Sequence, residues 1–195
     1  MKQPAVFLDR DGTVCEEVGY LREVKDLQLI PGSAQAIRKI RQAGWKVVII
    51  SNQSGVARGY LTEETVQTIH AALQEMLQKE EAEIDGIYYC PHHPKGNPPY
   101  NMQCDCRKPK AGMLKQATKD LDLDLNRSIV IGDKLSDVQT AQRLNIPGIL
   151  VLTGFGKGEL EKYQQNWEKK PDHIAENLLE AASWFLKNSS IKEKR

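Results

Sequence analysis

The sequence lacks any hydrophobic run long enough to cross a membrane, is poor in aromatic residues at 6%, and carries no surplus of either charge, the balance being +1. Each shortage excludes something. A spanning helix needs about 20 consecutive apolar residues, and the N-terminal apolar stretch meets Asp9-Arg10-Asp11 too early to be a signal segment. A cytoplasmic protein with no membrane partner is expected. Near-neutral charge offers no track for a polyanion, so no nucleic-acid partner is expected either. Cysteine is also scarce, with four in 195 residues, and in a reducing compartment these argue against a disulfide framework. Their distribution is uneven: Cys15 stands alone, whereas Cys90, Cys104 and Cys106 gather near His92 and His93.

What is present suits one globular core, with 40% hydrophobic and 27% charged residues. We expect one domain over residues 1–188, a frayed polar tail over 189–195, and a monomer. Apolar, β-branched runs at 5–9, 45–52, 86–90, 128–133 and 148–152 read as buried strands. Helical patterns at 33–43, from Thr62 onward, and at 112–121, 136–144 and 175–186 alternate with them. That alternation predicts an α/β, Rossmann-like parallel sheet with helices on both faces, where ligands collect beyond the carboxyl ends of the strands. The connections after the first two strands are short, so no separate cap domain is expected.

The zinc-bound loop is the exception to this rhythm. Residues 90–109 have no apolar period, so something besides a core must order them. Cys90 with His92, and Cys104 with Cys106, make two pairs with one residue between the members of each. Three thiolates and one imidazole saturate tetrahedral zinc and leave no open position, which makes the site structural. His93 competes with His92. His92 is preferred because it mirrors the Cys-x-Cys pair, although spacing alone does not separate adjacent histidines. His70 and His173 have no partners in sequence and read as surface residues. Cys15 reads as a packing residue whose thiol the nearby carboxylates keep protonated.

The chemistry sits at strand ends. Phe7-Leu8-Asp9-Arg10-Asp11-Gly12 places two carboxylates two apart where a strand meets a glycine turn, and such a pair is costly unless a cation or proton compensates it. Ile129-Val130-Ile131 ends likewise in Gly132-Asp133. In a parallel sheet both ends lie on one edge, so Asp9, Asp133 and a carbonyl of Asp11 can hold one octahedral magnesium. A third strand ends in Ser51-Asn52-Gln53-Ser54-Gly55, which offers a hydroxyl and backbone amides to phosphate oxygens. Lys108 adds a cation of the kind that stabilises a phosphoryl transition state.

These four segments, in this order and across nearly the whole chain, resemble the haloacid dehalogenase superfamily of phosphohydrolases. The resemblance implies that Asp9 is the nucleophile, Asp11 the general acid and then base, Ser51 and Lys108 the phosphate stabilisers, Asp133 a magnesium ligand and Asp137 an outer carboxylate. Gly86-Ile87-Tyr88-Tyr89-Cys90-Pro91-His92-His93-Pro94, Cys104-Asp105-Cys106-Arg107-Lys108-Pro109 and Ile131-Gly132-Asp133-Lys134 resemble the branch that dephosphorylates a heptose bisphosphate for heptose-bearing glycans such as lipopolysaccharide. It implies that Glu17, Val18, Gly19, Tyr20, Arg107 and Lys134 contact the sugar bisphosphate, with Asn52, Gln53 and Ser54 beside the transferred phosphate. Cys15 stands where asparagine is more common, and Ser51 where threonine is. Histidinol-phosphate phosphatase is the nearest alternative. Its cationic substrate fits Arg107 and Lys134 less well than a second phosphate does. A phosphatase of nucleic-acid termini lacks its basic track, and a non-catalytic scaffold would not need the full set of site residues.

Overall fold

The computed structural model describes residues 2–165 and 167–192, with side chains to residue 189. Six strands form one parallel sheet: β1 (Ala5–Leu8), β2 (Lys46–Asn52), β3 (Gly86–Cys90), β4 (Ile129–Gly132), β5 (Gly148–Val151) and β6 (His173–Ala175). Their spatial order is β3-β2-β1-β4-β5-β6. The order reverses between β1 and β4, so the chain leaves these neighbouring strands toward opposite faces and opens a crevice between them.

Side chains alternate across β1, and both faces are covered. Val6 and Leu8 join Ile37, Ile40, Leu73, Leu77 and Phe185 on one side, while Ala5 and Phe7 join Met113, Leu114 and Ala117 on the other. Helices α1 (Ser33–Gln42), α3 (Glu63–Lys79) and α7 (Leu178–Lys192) supply the first layer, and α4 (Gly112–Asp120) the second. That two-sided burial is why the strands read as continuous apolar runs. The short α2 (Ser54–Ala57) follows β2, α5 (Leu135–Arg143) follows β4, and α6 (Gly156–Tyr163) follows β5. Among the described residues, no helix is long and apolar enough to cross a membrane.

Three expectations need correction. β6, α2 and α6 were not expected, and β6 occupies the start of what reads in sequence as the last helix, so that α7 begins only at Leu178. α7 also continues through residue 192, into the stretch expected to fray, while residues 193–195 lie outside the described residues. The histidines are not free on the surface. His70 is 7% exposed and meets Tyr89 edge-on at 5.5 Å, and His173 stacks on Trp184 at 4.2 Å.

Candidate active site

Register aligns the ends that matter. Leu8 lies beside Ile49 of β2 and Ile131 of β4, and the Asp9 amide donates to the Ile131 carbonyl at 3.0 Å. The residues that follow, Asp9, Ser51 and Asp133, therefore emerge together at the switch point, each nearly or fully buried. Carboxylate oxygens of Asp9, Asp133 and Asp137 all lie within 4.8 Å of one another. Lys108 reaches in from the far side of the zinc loop. Its Nζ is 2.7 Å from Asp9 Oδ1, 2.6 Å from Asp137 Oδ1 and 2.8 Å from the Ile50 carbonyl.

Burial and charge set the ionisation. Burial works against the charge of Asp9, but Lys108 and then Lys134 outweigh it and hold the carboxyl below its ordinary value. Asp133 is pushed up to about 9, first by burial and then by the charge on Asp9. Asp137 is pushed up to about 6 by burial, with Lys108 opposing the rise and Asp9 adding to it. Burial also disfavours the Lys108 charge, yet Asp137 and Asp9 raise that lysine overall. Asp133 Oδ1 is buried without a hydrogen-bond partner among the described residues. Three hard oxygen donors, one of them orphaned, fit a hard divalent cation, which replaces the proton that crowding otherwise demands. Gly12 and Gly154 have positive φ, and a Cβ on either would collide with Asp133 Oδ2. Asp133 Oδ2 also accepts the Phe155 amide at 2.9 Å.

Asp11 lies outside that trio and turns to other partners. Arg10 grips it with Nε on Oδ1 at 3.0 Å and Nη2 on Oδ2 at 2.9 Å. Gln53 Nε2 donates to Asp11 Oδ2 at 2.9 Å and to Ser51 Oγ at 2.7 Å, linking the two loops. The Asn52 side chain holds the Lys108 backbone: its Nδ2 donates to the Lys108 carbonyl at 3.1 Å and its Oδ1 accepts the Lys108 amide at 3.0 Å. That paired contact fixes the backbone from which Lys108 projects. Ser54 begins α2 directly after these residues. Cys15 is buried, and burial followed by the charge of Asp11 drives its thiol upward.

Lys134 Nζ pairs with Glu17 Oε2 at 3.0 Å and lies 4.6 Å from the centre of the Phe155 ring. Glu17 Oε1 accepts the Gly19 amide at 2.7 Å. The turn carrying Val18 and Tyr20 is thereby tied to Lys134, and Tyr20 meets Tyr60 edge-on at 4.7 Å. Phe155, 48% exposed, had no sequence signal beyond being aromatic after a glycine. Arg107 Nη1 donates to the His92 carbonyl at 3.3 Å, which joins the two ends of the loop over residues 90–109.

In that loop, Cys90, His92, Cys104 and Cys106 bring their donor atoms within 4.8 Å of one another. Cys106 Sγ lies 2.9 Å from Cys90 Sγ, 3.1 Å from Cys104 Sγ and 3.3 Å from His92 Nδ1. Three sulfurs and one imidazole brought this close are a donor set that could hold a tetrahedral zinc. His93 faces away, toward Arg58 at 3.4 Å and the Lys95 amide at 3.1 Å. Tyr89 and Tyr100 both donate to Glu63, at 2.6 and 2.7 Å, which pins the loop to the start of α3.

A buried aspartate paired with lysine at the switch point of a parallel sheet, beside further carboxylates, defines a hydrolase of the haloacid dehalogenase type. A family model described as "HAD-hyrolase-like" matches residues 105–181. The D-glycero-D-manno-heptose-1,7-bisphosphate 7-phosphatase of Thermosynechococcus vestitus is 47% identical over 190 residues, covering 95% of this chain and 96% of that protein. The D-glycero-beta-D-manno-heptose-1,7-bisphosphate 7-phosphatase of Haemophilus ducreyi is 40% identical, covering 92% of this chain and 97% of that one. Among solved structures, the D,D-heptose 1,7-bisphosphate phosphatase of B. bronchiseptica, complexed with magnesium and phosphate, superimposes with a TM-score of 0.84 at 33% identity, over 95% of this chain and 99% of that one. The chain belongs to the family of D-glycero-D-manno-heptose-1,7-bisphosphate 7-phosphatases.

Proposed function

We propose that this chain removes the 7-phosphate of D-glycero-D-manno-heptose 1,7-bisphosphate through a phospho-aspartate on Asp9, in the biosynthesis of nucleotide-activated heptose. The observation that carries the reading is the buried Asp9, kept ionised by Lys108 at 2.7 Å beside the orphaned Asp133 Oδ1. Asp9 attacks phosphorus, the ester P–O bond breaks, and Asp11 gives its proton to the departing alkoxide. Water then attacks the acyl phosphate, Asp11 takes up its proton, and inorganic phosphate leaves. Lys108 and the Ser51 hydroxyl hold phosphate oxygens, with Gln53 orienting that hydroxyl. Ser54 and Asn52 shape the same loop, Asn52 through its hold on Lys108.

Asp9, Asp133 and the Asp11 carbonyl are the residues that would hold magnesium, with Asp137 behind them. Bound there, magnesium would offset the repulsion between carboxylate and phosphate. Cys90, His92, Cys104 and Cys106 would hold a structural zinc, and the side chain of His93 is engaged elsewhere. The remote phosphate falls to Arg107 and Lys134, with Glu17, Val18, Gly19 and Tyr20 along the sugar. The deciding experiment is steady-state kinetics on both anomers of the heptose bisphosphate and on histidinol phosphate. A kcat/KM for one heptose anomer at least a hundredfold above that for histidinol phosphate is expected. The reverse preference would overturn the assignment.

A further inference from the structure

We propose that Arg10 is a positioning residue that fixes the acid/base carboxylate of Asp11 through a two-point fork, an inference that rests on the phospho-aspartate reading above. Arg10 is 1% exposed and ranks among the largest fully buried side chains. A buried guanidinium is costly unless its partner is well chosen. Nε on Oδ1 at 3.0 Å and Nη2 on Oδ2 at 2.9 Å engage both oxygens of one carboxylate, and that geometry fixes the plane as well as the place of the group. Nη1 is buried with no hydrogen-bond partner among the described residues, so the fork to Asp11 is the main polar commitment of this side chain. Its backbone carbonyl meanwhile accepts the amides of Val14 and Cys15, both at 3.0 Å, and holds the turn that presents Asp11.

The remaining contacts of Asp11 do not duplicate this role. Gln53 adds one donor to Oδ2 at 2.9 Å, shared with Ser51, and the Cys15 thiol approaches Oδ1 at 3.7 Å. Neither grips both oxygens. A carboxylate that must first meet the leaving oxygen and then the attacking water depends on a defined orientation, and small misplacements are costly in rate. Lysine at position 10 keeps the charge and loses the fork.

The test separates chemistry that needs the proton from chemistry that does not. Release of 4-nitrophenolate requires no proton from the enzyme, whereas release of a sugar alkoxide does. Arg10→Met and Arg10→Lys are compared with the parent by steady-state turnover of the heptose bisphosphate and by the pre-steady-state burst of nitrophenolate from 4-nitrophenyl phosphate. The expected result is a bisphosphate kcat lowered about a hundredfold in Arg10→Met and at least tenfold in Arg10→Lys, with the burst rate within about threefold of the parent. A burst slowed as much as bisphosphate turnover, or bisphosphate turnover within threefold of the parent in both variants, would overturn the proposal. If Arg10→Met does not fold, Arg10→Lys decides by the same two criteria. Failure of the phospho-aspartate reading itself is separately visible, because acid-quenched Asp11→Asn protein incubated with 4-nitrophenyl phosphate would then carry no phosphoryl group on Asp9.

Discussion

The two side-chain clusters solve opposite problems with the same sheet. At the β1/β4 crevice the sheet comes first: strands buried on both faces force Asp9 and Asp133 together, and lysines compensate the crowding. In the zinc loop the ligands come first, because residues 91–111 between β3 and α4 have little core of their own. One site is oxygen donors crowded together in a buried crevice, and the other is sulfur and imidazole donors grouped so that they could hold a metal ion. Destroying the first should cost rate without cost in stability. Destroying the second should do the reverse.

The largest expected effect breaks that comparison at its first term. Asp9→Asn removes the nucleophile and should lower kcat by about four orders of magnitude or more, with zinc content retained and a Tm no lower than that of the parent. A Tm drop comparable to that of a core mutant would show that the crevice is also structural. Next comes Cys104→Ala, which should leave the protein without zinc by metal analysis and cost about 3 kcal/mol or more of stability in urea unfolding. An unchanged urea midpoint would remove the structural role.

A third, smaller effect tests a buried group belonging to neither cluster. His70 is held down to about 3, by burial first and by the Arg10 charge second, from an ordinary value of 6.5. The unfolded chain therefore binds more protons than the folded one below that ordinary value, and stability falls as pH drops from about 6.5 toward 3. At pH 5 the contribution is about 2 kcal/mol. Comparing urea midpoints at pH 5 and pH 7, His70→Gln should lose less stability on acidification than the parent, and an equal loss would contradict the burial argument. The smallest effect lies where the two clusters meet. Arg107→Ala should raise KM for the bisphosphate about tenfold, the size of one charged hydrogen bond, while 4-nitrophenyl phosphate turns over within threefold of the parent. Equal changes on both substrates would place Arg107 in the loop architecture alone.

How much of this was legible differs between the clusters for a physical reason. Tetrahedral coordination is local, so two pairs with a single intervening residue in each were enough to group Cys90, His92, Cys104 and Cys106 before any fold was known. The carboxylates became legible only through topology, since Asp9 and Asp133 are 124 positions apart and meet because β1 pairs with β4. Arg10 was in plain view between two acids, but a side chain beside a strand end carries no signal of its direction. The Asn52 clamp on Lys108 was invisible for the same reason. His70 was misjudged although the signal existed: it falls on the apolar face of α3 with Val66, Ile69, Leu73 and Leu77, and spacing of three and four residues outweighs a polar ring. β6 and α2 hold only three and four residues, too few for any period to register.

The central claim is that phosphate passes through Asp9, and trapping the intermediate tests it most directly. Asp11→Asn should still be phosphorylated by 4-nitrophenyl phosphate, whose leaving group needs no proton, but should hydrolyse the phosphoenzyme slowly for want of a base. Acid quenching followed by peptide mass mapping is predicted to find one phosphoryl group per chain, on the Asp9 carboxylate. Product formation with no phosphoenzyme at any time point, or a phosphoryl group on any other residue, would contradict the account.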